Sequence, residues 1–225
     1  MKVKIVECPR DAMQGLSYQV PTQTKIEYIN RLLHVGFDTL DFGSFVSPKV
    51  IPQMSDTDKV YDGLITDTET KLSAIVANLR GAQKACEFER IDYLGFPFSV
   101  SETFQIRNTN STIDESVKRV DDIAQLCHKH NKELIIYLSM AFGNPYGDKW
   151  DVELVCEWVE KMVEKGIDTI SLSDTIGSSN PQSIKELMTG VIPEFPDTTI
   201  GAHIHTSPDS WREKMEAAYH SGCRR

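Results

Sequence analysis

The sequence predicts an α/β fold of the TIM, or (β/α)8, barrel type, carried through about seven strand–helix units. Three observations predict it. Short β-branched runs alternate with longer amphipathic stretches from one end of the chain to the other. Three helical stretches close on a glycine just ahead of the next apolar run, in VGFDTL, KGIDTI and SGCRR, where a left-handed residue ends a helix at little steric cost. The rival doubly wound sheet lacks its signature: no GxGxxG follows the first strand, and no GxxxxGK[ST] occurs anywhere.

The expected strands are Val3–Val6, Thr39–Phe42, Ser73–Ala77, Ile91–Leu94, Leu134–Leu138, Thr169–Leu172 and Thr199–His203. They are short and nearly continuously apolar, which fits parallel strands buried on both faces rather than half-exposed antiparallel ones. Between them, Thr22–His34 places Ile26, Ile29, Leu32 and Leu33 on one face. Ile113–His130 does so with Val117, Val120, Ile123, Ala124 and Cys127, and Val152–Lys165 with Leu154, Val155, Trp158, Val159 and Met162. Ser101–Asn110 is expected as a polar loop, followed by a helix that Thr112 and Glu115 can open as a capping box. Trp150, Trp158 and Trp211 are expected to pack helices. Helix 208–221 leads toward an eighth strand, so the chain is expected to be one catalytic barrel domain, residues 1–225, incomplete at its C-terminus.

Composition narrows the function. A net charge of −9 without a Lys/Arg cluster argues against nucleic acid or an anionic membrane as partner. No apolar run reaches the length of a membrane span, and MKVKIVECPRD enters a strand pattern at once, leaving no room for a signal peptide. The five cysteines form no CxxC pair and are expected as free thiols in a reducing cytoplasm.

Barrel chemistry gathers at the C-terminal ends of strands, and polar residues cluster there. His203 and His205 are two apart in a β segment, so both imidazoles point to one side and can meet one cation. Asp11 could complete a mixed set that accepts Mg²⁺, Mn²⁺ or Zn²⁺. Arg10 stays charged and suits a carboxylate or a developing enolate oxygen. Asp41 could orient Arg10, hold a metal-bound water, or cap a strand end. Gln14, Lys49, Ser101 and Asn108 are candidate substrate contacts by position. Asp174 is either a site residue or the side chain that satisfies the TIG turn.

Taken in order, ECPRDAMQG, DFGSFVSPKVIPQM, SETFQIRNTN, SLSDTIG and GAHIHT resemble the 3-hydroxy-3-methylglutaryl-CoA lyase family, over essentially the whole chain from Lys2 to Arg225. That family sits among metal-dependent barrel lyases and Claisen-condensing enzymes. The resemblance implies a usually homodimeric barrel with Mg²⁺ or Mn²⁺. It also implies retro-Claisen cleavage of an acyl-CoA to acetyl-CoA and acetoacetate, with an acetyl-CoA-dependent condensing enzyme or a non-catalytic metal-binding homologue as alternatives. By resemblance, Asp11, His203 and His205 are metal ligands. Arg10 stabilises the enolate, Asp41 stands where the family has Glu, and His203 is also a proton carrier. Gln105 replaces a serine, and HIHT replaces HxHD, which removes a carboxylate beside the metal ligands. The family's asparagine ligand and cysteine-bearing glycine-rich loop would lie beyond Arg225, so this exact chain is expected to lack lyase turnover.

Overall fold

The computed structural model describes residues 2–225. Its strands are β1 (Val6–Glu7), β2 (Thr39–Ser44), β3 (Lys71–Ile75), β4 (Ile91–Ser99), β5 (Glu133–Ser139), β6 (Thr169–Asp174) and β7 (Thr199–Ile204). They form one sheet in chain order, and the recorded pairings are parallel. The helices are α1 (Pro9–Gln14), α2 (Thr22–Leu33), α3 (Thr57–Asp62), α4 (Leu79–Cys86), α5 (Glu102–Thr109), α6 (Ile113–Lys129), α7 (Val152–Glu164), α8 (Pro181–Val191) and α9 (Trp211–His220). Parallel neighbours in chain order, each joined through a helix, are the barrel type of α/β fold. The chain divides into two compact units, one mainly of residues 4–95 and the other mainly of 96–124 and 134–225.

In the first unit every residue of β2 is buried, as expected of a strand covered on both faces. The β2–β3 register slips between Asp41 and Gly43, a bulge of the kind that re-aims a side chain next to a site. Gly43 is required there: a Cβ would fall 2.5 Å from Thr57 Cγ2. Thr57 in turn ties α3 to β2, its hydroxyl donating to Ser44 O and accepting from Ser44 N. Phe42, Tyr61, Phe88 and Phe45 pack as a chain of rings beneath this corner. β1 is shorter than the expected Val3–Val6, and Val3 and Ile5 are exposed. β-Branched composition favours a strand locally, but ladder bonds need a partner, and that partner begins only at Thr39.

In the second unit β6 runs on to Asp174 and β7 to Ile204, so the polar motifs sit on the strand ends themselves. The Ser101–Asn110 segment holds helix α5, Glu102–Thr109, not the polar loop the composition suggested. Ser101 caps α5 by accepting from Phe104 N, and Asn110 closes it in the left-handed region at φ 50°. Those are ordinary helix start and stop signals, hidden by a polar middle. The Thr112–Glu115 box opens α6 as expected. Buried Gln105 bridges these elements. It accepts from Ser99 N at 2.8 Å and donates to Thr109 Oγ1 and Ser116 Oγ. Trp158 packs on Phe98, while Trp211 is 53% exposed. After α9, Ala202 N donates to Arg225 O, so the chain past Gly222 already runs beside β7.

Candidate functional site

Two clusters lie at strand ends, one in each unit. The first is built on α1. Pro9 at the first helical position presets φ and has no N–H to leave unsatisfied, so the helix starts sharply and puts Arg10 and Asp11 in its first turn. A carboxylate there also favours the positive end of the helix dipole. Arg10 is buried. Its Nε donates to both oxygens of Asp41, at 3.2 and 3.0 Å, and its Nη2 to Asp41 Oδ2 at 2.5 Å. Nη1 donates to Asp11 Oδ1 at 2.8 Å and to Gln14 Oε1 at 2.9 Å. Asp41 is 0% exposed. Of the uses open to Asp41 in the sequence, orienting Arg10 is the one the geometry displays. Cys8, just before the helix, has its thiol pushed up by burial first and by the charge of Asp41 second. It therefore stays protonated at neutral pH.

The strand-end loop after β2 holds this helix in place. Gln53, buried, accepts from Val20 N at 2.9 Å and donates to Tyr18 O and Met13 O. Lys25, 1% exposed, donates to Gln53 O and pairs with Asp56 at 2.7 Å. The PQM part of the motif is thus a latch on the segment that follows Arg10 and Asp11. Lys49 is exposed, its N–H donating to Ser47 Oγ.

The second cluster is built on β7 and the turn after β6. His203 Nε2 and His205 Nε2 lie 3.2 Å apart. Two donors about 2.1 Å from one cation stand roughly 3.0–3.4 Å apart between right-angle and tetrahedral geometry, so the pair fits a common metal ion. His205 Nδ1 faces Thr175 O at 2.9 Å. A carbonyl only accepts, so Nδ1 carries the proton and Nε2 presents a lone pair, as a metal-ligating histidine requires. Tyr137 packs edge-on against the His203 ring. Asp174 is 1% exposed and accepts from Ser179 N, Ser179 Oγ and Lys214 Nζ. It satisfies the turn rather than facing outward.

Ser101 and Asn108 are separated in character. Ser101 is fully buried, and its hydroxyl donates to Asp148 at 2.5 Å while accepting from Phe104 N. Asn108 is exposed on α5. Asp148 also accepts from Thr103 N and Oγ1. Its pKa lies below the ordinary 3.8, first through the Ser101 hydroxyl and then through the Thr103 amide. A folded-state value below the unfolded one gives stability that is complete above 3.8 and lost as pH falls through the folded value. Urea unfolding of wild type and Asp148→Asn should therefore show a gap at neutral pH that closes as the solution is acidified below that point. A gap independent of pH would disprove the linkage. Sequence reasoning missed Asp148, Gln53 and Lys214. Only Gln53 had a signal, its place in a family motif.

The family model described as HMGL-like matches residues 2–225. The chain belongs to the HMGL-like family. Among curated HMGL-like relatives, the chain is 35% identical over 205 residues to mitochondrial hydroxymethylglutaryl-CoA lyase of Bos taurus. That match covers 91% of this chain and 63% of the relative, so the chain spans less than two thirds of that relative's length. Two solved structures agree on the fold. The HMG-CoA lyase of Bacillus subtilis superposes with a TM-score of 0.93 at 31% identity, covering 99% of this chain and 75% of that one. An HMG-CoA lyase from Acinetobacter baumannii, in complex with coenzyme A and 3-methylmalate, gives 0.91 at 30% identity, covering 100% and 73%.

Proposed function

We propose that this chain carries the acid- and metal-handling part of a carbon–carbon lyase that cleaves 3-hydroxy-3-methylglutaryl-CoA, or a related 3-hydroxyacyl-CoA, to acetyl-CoA and acetoacetate. The observation that carries the reading is the 3.2 Å His203–His205 pair with its fixed tautomer, in a chain whose HMGL-like relatives bear that lyase name. Asp11, His203 and His205, the ligands that the family resemblance implies, would supply one oxygen and two nitrogens to a divalent cation, a set suited to Mg²⁺ or Mn²⁺, with Zn²⁺ also able to bind. When bound, such an ion would act as a Lewis acid toward the oxygens of the substrate.

The chain's own residues supply the rest of the proposed chemistry. Arg10, aimed by the fully buried Asp41, meets the negative charge that moves onto the thioester oxygen as the carbon–carbon bond breaks. Gln14 is exposed, so its bond to Arg10 Nη1 is the one an incoming oxygen displaces. His203 is also the proposed proton carrier beside the 3-hydroxyl. Exposed Lys49 and Asn108 remain proposed substrate contacts, and Lys49 has the chemistry for a substrate anion; Ser101 and Asp174 are buried and committed to Asp148 and to the Ser179 turn, so they act through the scaffold instead. The coenzyme A in the relative from Acinetobacter baumannii supports an acyl-CoA as the partner molecule. A homodimer is proposed from the family alone, and a cytoplasmic location from the widely spaced free cysteines. Among the described residues no helix is long and apolar enough to cross a membrane.

The test is acetyl-CoA release from 3-hydroxy-3-methylglutaryl-CoA by the product of the complete gene with Mg²⁺ or Mn²⁺. Chelation should abolish turnover and added metal restore it. A folded, metal-loaded protein that releases no acetyl-CoA sinks the substrate assignment.

A further inference from the structure

Lys214 is a buried cation on α9, 4% exposed, facing three acceptors on two other segments. Its ammonium donates to Asp174 Oδ2 at 3.2 Å, to Gly177 O at 3.1 Å and to His205 O at 3.2 Å. An ammonium has three N–H groups, and three acceptors are present. One acceptor lies just past the end of β7, at the second histidine. The other two bracket the SDTIG turn, whose middle residue supplies the carbonyl that His205 Nδ1 faces.

The turn itself is closed by a backbone hydrogen bond. Gly177 N donates to Asp174 O, and Gly177 takes φ +70°, a conformation side chains other than glycine's rarely adopt. A Cβ at Gly177 would sit 3.5 Å from His205 O, so turn and strand are in contact. Asp174 fixes the far side of the turn through Ser179 N and Oγ. The Thr206 hydroxyl, next along the chain, turns to Ser207 O.

We propose that Lys214 is a positioning residue for His205: by tying the His205 carbonyl to the Asp174–Gly177 turn, it keeps Thr175 O against Nδ1 and so holds the imidazole as the Nδ1–H tautomer, with Nε2 presented to a cation. This rests on the reading of His205 as a metal ligand, but the tautomer itself is a property of the metal-free protein. Lys214 touches neither the ring nor substrate. It acts through the backbone and through the turn.

The experiment is long-range ¹H–¹⁵N NMR of ¹⁵N-histidine-labelled, metal-free protein at a pH where the rings are neutral, with His205 assigned by its loss in His205→Ala. Wild type should show His205 as a single Nδ1–H tautomer. In Lys214→Met, which keeps the bulk and removes the donors, His205 should drift toward the Nε2–H form that dominates free histidine, while Tyr137 still shifts the His203 signals as in wild type. Mn²⁺ titration followed by electron paramagnetic resonance should show affinity lowered by about 10–100-fold, the usual cost of losing an outer partner of a ligand. Lys214→Arg, which keeps charge and donors, should recover part of both. A wild-type His205 that is not the Nδ1–H tautomer overturns the inference without any variant, even if Lys214→Met fails to fold. So does a folded Lys214→Met with the wild-type tautomer. Normal tautomer behaviour with no Mn²⁺ binding in wild type would instead remove the metal reading and leave the clamp standing.

Discussion

Asp41→Ala should lower the unfolding free energy by about 3–5 kcal/mol, the cost of stranding one member of a buried ion pair. Both partners are buried, with side-chain exposures of 8% for Arg10 and 0% for Asp41. Their contact is a fork in which Nε and Nη2 both reach one carboxylate, the geometry that makes an Arg–carboxylate pair strong. Arg10 keeps Asp11 and Gln14 as partners of Nη1, which places the expected loss toward the lower end of that range. Replacing the pair as a unit, Arg10→Met with Asp41→Leu, should restore most of the stability, since a buried ion pair exchanged for apolar side chains of like volume is often neutral. Under the proposed function the double variant should nevertheless fail to turn over, because the cation facing the enolate is gone. Urea denaturation of the two single variants and the double closes the cycle. Additive losses would mean that the pair does not couple and that Asp41 has another role.

Gln53→Leu should cost about 2 kcal/mol, because it leaves Val20 N buried without an acceptor and breaks the bond to Tyr18 O. Its consequence reaches α1. Met13 O ties that helix to the PQM segment, so the amides of α1 should exchange with solvent faster in the variant. Gln53→Glu should not rescue it, since a carboxylate keeps the acceptor for Val20 but faces two carbonyls where the amide donated. Lys49→Ala and Asn108→Ala, both exposed, serve as comparators and should leave stability within about 0.5 kcal/mol of wild type. Unfolding midpoints for Gln53→Leu that match these two would show that the latch carries no energy.

These expectations differ in how much of their basis could be read before folding. Strand–helix alternation is a local, periodic signal, and it located β2, β5, β6 and β7 and the amphipathic helices α2, α6 and α7 to within a few residues. The members of the capping pair Thr112–Glu115 are three positions apart and were equally legible. Residues 101–110 were not, because their helix has no strong apolar stripe and is set by its two ends. The candidate residues Arg10 and Asp11, and His203 and His205, were named by spacing and by motif, since nearness in sequence already holds the members of each pair together.

What the sequence determined by itself is therefore the parallel α/β class, the family, and the residue types that meet at the strand ends. What only the tertiary structure decided is which partners fix those residues. Asp41 lies 31 positions from Arg10, Lys214 lies 40 from Asp174, and Gln53 lies 33 from Val20. No periodicity encodes such separations. Each partner is chosen because a polar group carried into the interior must find its hydrogen bond there, and which group is near enough is a property of the packed strands and helices alone.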